Sequence, residues 1–116
     1  MSFIISKVNV PISPEQELRL KSGIGKAIEC VPGKTESLLM LGFEAGYSLY
    51  LRGDNRQSMV YITVAVFANP DHHGYEQMSQ IIAQLFYNTL GIDPIRIFIK
   101  YEDISCWSVA DRVFIH

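Results

Sequence analysis

The chain has 116 residues, 48% of them hydrophobic and 19% charged, with a formal net charge of −2. That length is near the ordinary size of one domain, and the composition is that of a folded globule, not a disordered chain. The slightly acidic balance points away from nucleic acid and from anionic membrane surfaces, and the longest apolar run, 59–68, is too short to span a bilayer. Cys30 and Cys106 stand far apart and form no ligand or redox motif. We expect one domain over 1–116, no metal or other cofactor, and, with no charged leader ahead of an apolar segment, a cytoplasmic location.

The first strand is read over Phe3, Ile4, Ile5, Val8 and Val10. A strand at an extreme terminus frays unless a sheet holds it. If it is held, the α-amino group, with an ordinary pKa of roughly 7.7–8.0, sits inside the structure and can act as a base at neutral pH. Ser13-Pro14-Glu15-Gln16 then reads as a helix start, with Ser13 as cap, Pro14 in the first helical position and Gln16 completing a capping box. Leu20, Ile24, Ala27, Ile28 and Val31 recur at helical spacing. Gly23 and Gly25 interrupt this helix, either as tolerated weak points or as sites of close approach to the sheet. Pro32-Gly33 ends it.

A second strand is expected at 38–43, apolar enough to be buried, and a short third at 48–51 ahead of a turn-rich connection over 52–57. The stretch 59–67 is the longest strand signal, rich in β-branched and aromatic residues. Asn69-Pro70-Asp71 is expected to open a second helix with Met78, Ile81, Ile82, Leu85 and Thr89 or Leu90 on its apolar stripe, and Gly91 to stop it. A strand over 95–101 and an irregular tail over 105–115 with one short strand complete the chain. The two halves repeat: strand, proline-marked turn, helix, glycine, strand. A duplicated βαβ unit with right-handed crossovers gives parallel strand pairs. The predicted class is therefore α+β, a two-layer sandwich with a mixed four-stranded sheet and two helices on one face. Because 59–67 is apolar on both sides, other subunits are expected to cover the opposite face.

Short motifs elsewhere carry little. Gly33-Lys34-Thr35 lacks the upstream glycine and the strand-to-helix order of a phosphate-binding loop, and Gly23-Ile24-Gly25 lies inside a helix without the third glycine of a dinucleotide fingerprint. His72-His73 has no accompanying cysteine or carboxylate cluster and reads as a solvated pair.

Asn9-Val10-Pro11 after the first strand, Gly33-Lys34 after the first helix, and the segment from Gly91 to Tyr101, with Ile92, Pro94, Arg96 and Ile99 in place, occur in a telling order. In that order and spacing the chain resembles the macrophage migration inhibitory factor (MIF)-like family of the tautomerase superfamily. The resemblance implies a homotrimer with sites at the subunit interfaces and an N-terminal proline as catalytic base. Counting back from Asn9-Val10-Pro11, that proline falls on Ser2.

Carried over residue by residue, Lys34 matches the lysine that meets an acidic substrate group, and Phe67 matches an apolar wall. Phe98 stands where many members have tyrosine, and Lys100 where some have asparagine; both belong to the segment that reaches a neighbour's site. Trp107 alone clearly matches the family's tail, and Met59 and Ile62 replace the Cys-x-x-Cys of mammalian members, which removes a redox role by that route.

Two readings follow. In the first, the chain is a weak or altered keto–enol tautomerase acting on phenylpyruvate-like α-keto acids. The N-terminal amine of Ser2 is the base, with its pKa lowered near Lys34 and Lys100, and Lys34 holds the carboxylate. In the second, it is a catalytically degenerate trimeric binding or signalling module on the same fold. For each residue a plainer role competes: Lys34 as a solvated helix-end lysine, Phe67, Phe98 and Trp107 as core or interface, Lys100 as an interface charge.

Overall fold

The structure, a computed structural model, describes residues 1–116. Four strands form one mixed sheet in the order β2-β1-β3-β4, where β1 is Ser2–Val8, β2 Leu39–Glu44, β3 Val60–Phe67 and β4 Ile97–Ile104. β1 runs parallel to β2, β3 runs parallel to β4, and the two halves meet antiparallel along β1 and β3. Each parallel pair is bridged by one helix, α1 (Pro14–Ala27) or α2 (Tyr75–Leu90), so the sheet is a doubled βαβ unit with both helices on one face. A separate two-stranded hairpin, β5 (Cys106–Val109) and β6 (Arg112–Ile115), ends the chain.

The core follows from strand alternation. Ile4, Ser6 and Val8 of β1 and Val60, Ile62, Val64 and Val66 of β3 point beneath the helices and are buried. From the helices they meet Leu20, Ile24, Met78, Ile82 and Phe86, all fully buried. Side chains at i, i+4 on α1 and i, i+4, i+8 on α2 share a face, which is why one stripe from each helix suffices. The α1 entry is fixed by a complete capping box: the Gln16 amide N–H donates to Ser13 Oγ at 3.2 Å, and the Ser13 amide N–H donates to Gln16 Oε1 at 2.9 Å.

Several elements differ from the sequence expectation. No strand forms at 48–51; Leu51 and Asp54 make only an isolated bridge closing a turn whose Arg52 and Gly53 both have positive φ. β2 lies at the sheet edge, not in its middle, so Leu39, Leu41 and Phe43 are half-buried while Met40 is 70% exposed. α2 begins at Tyr75, not at Asn69. The intervening residues are held as a turn by His72 N–H donating to the Asn69 carbonyl, by Asn69 Nδ2 donating to the His73 carbonyl, and by positive φ at His72 and Gly74. Ile81 faces outward; Phe86 takes a place in the stripe. The tail is a regular hairpin rather than irregular chain.

Gly23 does permit close approach, but to the other helix: an added Cβ would come within 2.6 Å of the Leu85 methyls on α2. At Gly74, φ is +84° and an added Cβ would lie 2.1 Å from the Cys30 carbonyl oxygen, a backbone atom with no room to yield.

On the face away from the helices, register brings Phe3 and Ile5 of β1, Met40 of β2, Tyr61, Thr63 and Ala65 of β3, and Phe98 and Lys100 of β4 to one surface. Phe98 is 53% exposed there.

Candidate active site

The amino terminus is held, as a central strand must be. Ser2 pairs with Leu39 on one side and Val66 on the other, and the Phe67 amide N–H donates to the Met1 carbonyl at 3.0 Å. The α-amino group of Met1 therefore has a fixed position. Its pKa is lowered from 8.0 to about 6, chiefly by burial, then by the positive charge of Lys34 and a hydrogen bond with that side chain. All three effects disfavour an ammonium ion, so the amine is largely neutral at pH 7.

Lys34 reaches this place because the chain reverses after α1. A single 3₁₀ turn, Ile28–Cys30, follows the helix, Gly33 takes φ +76°, and the Lys34 amide N–H donates to the Val31 carbonyl at 3.1 Å. The Lys34 ammonium stands 5.6 Å from the centre of the Phe67 ring, a cation–π distance. Phe67 is in turn met edge-on by Phe114 at 6.5 Å and His116 at 6.4 Å, so the terminal hairpin is seated on the end of β3.

Beside the amine opens a cavity of about 570 Å³, mostly apolar, lined by Met1, Ser2 and Phe3 of the first strand, by Leu38 and Met40 of the edge, and by Trp107 and Val109 of β5. That volume lies in the range of small-molecule sites, roughly 300–1,000 Å³. Ser2 itself is 2% exposed, and its hydroxyl is buried without a hydrogen-bond partner.

Ser2, Lys34, Phe67 and Trp107 are gathered at this end of the sheet. Phe98 and Lys100 are not. They align with Tyr61 and Thr63, whereas Phe67 aligns with Ile104. Six residues of β4 separate Phe98 from that end, roughly 20 Å. The Lys100 ammonium lies 3.7 Å from the Glu102 carboxylate and 5.8 Å from the Tyr61 ring centre, and its pKa is raised, first by a hydrogen bond with the Tyr61 hydroxyl. Within one chain Lys34 acts on the amine and Lys100 does not. Phe98 lines a second, smaller hollow of about 180 Å³ with Tyr50, Tyr61 and Arg96.

Sequence reasoning did not single out Met1, Leu38, Met40 and Val109 as site residues. Nothing in their spacing marks them; only strand register and the hairpin bring them together. It also missed a polar cluster under α2. The Tyr75 hydroxyl donates to Asp103 at 2.8 Å, His72 Nε2 lies 2.6 Å from the other Asp103 oxygen, and Tyr75 stacks on Tyr101 at 4.1 Å. Burial, and then the bond to Asp103, push the Tyr75 phenol up to about 12. His72 is thus engaged with Asp103, while His73 is largely exposed and 4.0 Å from Asp71. No three His, Cys, Asp or Glu side chains are grouped so as to hold a metal ion.

No protein-family model matches the chain, and no curated protein matches it in sequence. Among solved structures it is similar to MIF2 of Leishmania major, with a TM-score of 0.86 and 21% identity over 98% of this chain and 97% of that one. It is similar also to the MIF homologue of Prochlorococcus marinus, at 0.83 and 24% over 97% and 98%. A fused wild-type 4-OT symmetric trimer matches at 0.77 and 16% over 94% and 92%. At these identities the likeness is one of fold: the chain has the α+β fold of these MIF and 4-OT structures.

Proposed function

We propose that the chain is a weak keto–enol tautomerase of phenylpyruvate-like α-keto acids, working as a homotrimer with its terminal amine as the base. The observation that carries this reading is the end of the first strand: it is held beside a cavity and close to Lys34, and there burial and that lysine lower the pKa of the Met1 amine to about 6. A base poised near the working pH has the right protonation state without losing its proton affinity. The neutral amine takes a proton from the carbon next to the keto group. The electron pair moves to the carbonyl oxygen, which is protonated to the enol, and Lys34 faces the substrate carboxylate. An aromatic ring would lie in the apolar cavity against Trp107 and Met40.

Ser2 is the catalytic position once Met1 is removed, as its small side chain favours. The amine then shifts back by one residue, about 3.8 Å along the chain. Its base remains a primary amine on a flexible backbone, where a proline would be a rigid secondary amine, and the expected activity is correspondingly low. The trimer is supported by the fused 4-OT neighbour and by the apolar open face of the sheet. In that assembly Phe98 and Lys100, remote from their own amine, are the residues offered to an adjacent subunit's site. Serine in place of the family's proline at position 2, and the altered tail after Trp107, support a second reading, a trimeric binding or signalling module whose base has been lost.

Intact mass first establishes which residue is terminal. Ser2→Pro, correctly processed, should then raise kcat for aryl-pyruvate tautomerisation about tenfold, equivalent to about 1.4 kcal/mol of barrier. Acetylation of the terminus should abolish activity, because an amide nitrogen is not a base. A processed, trimeric Ser2→Pro protein with no activity would overturn the enzymatic reading and leave the binding module.

A further inference from the structure

We propose that Asp103, near the end of β4, is a positioning residue: it latches the turn that joins β3 to α2, and through that turn it holds Phe67 and Lys34 in place. This rests on the reading above only for the ligand that Lys34 meets. The latch is built from one carboxylate and three stacked rings. Asp103 stands in register with Val66, which is buried beneath the helices, so its side chain shares that face of the sheet. One Asp103 oxygen accepts from the Tyr75 hydroxyl at 2.8 Å, and the other lies 2.6 Å from His72 Nε2. Tyr75 is the first residue of α2 and His72 belongs to the turn before it, so a single side chain of β4 grips both. The rings of His72, Tyr75 and Tyr101 stack in succession, with centres 5.7 and 4.1 Å apart. The Tyr101 hydroxyl donates to the Tyr75 carbonyl at 3.0 Å and pins the helix start a second time. With its pKa pushed up to about 12, the Tyr75 phenol keeps its proton and remains a donor at neutral pH.

The turn needs such a latch. Ala68 and His72 take positive φ, 61° and 62°, which a side chain disfavours. Backbone of this kind persists only where its surroundings over-determine it. Both ends of the turn bear on Lys34. At one end Ala68 directly follows Phe67, whose ring centre is 5.6 Å from the Lys34 ammonium. At the other end Gly74 lies against the Cys30 carbonyl, with no room for a side chain between them. Cys30 leads into Val31, whose carbonyl accepts the Lys34 amide N–H at 3.1 Å. The ring that faces the ammonium and the backbone that carries the lysine therefore both rest on the segment that Asp103 grips. Asp103 itself is one-third exposed and lies outside the apolar core, so its removal spares that core.

The test compares Asp103→Ala with Asp103→Asn in the full chain. The asparagine amide can still accept from Tyr75 and donate to His72, whereas alanine can do neither. Amide hydrogen exchange read by mass spectrometry reports the latch without any need for activity. In Asp103→Ala the peptides covering 67–75 and 30–35 should both exchange about tenfold faster, while β1 keeps its protection and Asp103→Asn stays within about threefold of the parent. Kinetics report the consequence. KM for phenylpyruvate should rise about fivefold in Asp103→Ala with kcat within about twofold, and the rise should disappear when Lys34 is already alanine. Should Asp103→Ala fail to fold, His72→Ala, a change at an exposed residue, takes its place and should give the same pattern at smaller size. Faster exchange at 67–75 with none at 30–35, or a KM effect of equal size in the Lys34→Ala background, would overturn the proposal. A parent with no tautomerase activity would remove the reading above, and exchange at 30–35 would then decide alone whether Asp103 positions Lys34.

Discussion

At the scale of single residues, the site turns on one amine and one ammonium. Lys34 lowers the amine's pKa by charge and by hydrogen bonding, but burial is the larger cause. Lys34→Ala should therefore move the acid limb of kcat/KM upward only in part, while raising KM for phenylpyruvate roughly tenfold, a loss of about 1.4 kcal/mol. Folding stability should change by about 0.5 kcal/mol or less, since the side chain is only half-buried. A pH–rate profile identical to that of the parent would remove Lys34 from the site. The same pKa has a linked consequence. Between about pH 6 and 8 the unfolded amine binds a proton that the folded one has released, so this group makes the fold less stable as pH falls through that window. Denaturant midpoints at each pH, with and without terminal acetylation, separate that contribution from the kinetic limb.

Among elements, the turn before α2 is the least forgiving. Gly74 caps the helix in the left-handed region, and any side chain there meets the Cys30 carbonyl at 2.1 Å. Gly74→Ala should cost about 2–3 kcal/mol, combining an unfavourable φ with a backbone collision; urea unfolding should show a lower midpoint at unchanged slope. An effect below about 0.5 kcal/mol would show that α2 can start elsewhere. This turn also explains what the sequence hid. Asn69-Pro70-Asp71 carries the cap residues of a helix start, but Asn69 spends its side chain on the His73 carbonyl and the chain turns once more before Tyr75. Period alone placed Met78, Ile82 and the glycine stop correctly. It could not choose between Ile81 and Phe86, which differ only in the direction of a helix not yet docked. β1, β3 and the duplicated βαβ order were legible because alternation and repetition are local signals. The edge position of β2 and the hairpin against Phe67 were not, because they depend on which strands become neighbours. The same limit applies to the site: Ser2 and Lys34 could be singled out through the family resemblance, whereas Met40 and Val109 join it only by register and hairpin docking.

For the whole molecule, the open question is what covers the sheet's second face. Phe3, Ile5, Met40, Tyr61 and Phe98 lie on it by register, and Met40 and Phe98 are 70% and 53% exposed. A small domain buries only about 60–70% of its unfolded surface, so a face of this kind is a large share of what remains to be buried. The proposed closed three-fold arrangement would cover it without leaving an open edge for further addition. In that arrangement a neighbour, rather than the strand itself, would span the roughly 20 Å between Phe98 and the amine end of the sheet. Sedimentation velocity at micromolar concentration should report about three chains per particle. Phe98→Asp places a charge on that face and should shift the particle toward monomers while the far-ultraviolet circular dichroism of the separate fold stays unchanged. If the neighbour's Phe98 walls the cavity, activity should fall with the trimer fraction across a dilution series, and the parent protein should lose specific activity on dilution in step. A parent that sediments as one chain would refute the assembly and place the whole site within one subunit. A trimeric Phe98→Asp with undiminished activity would keep the assembly and remove Phe98 from both the interface and the site.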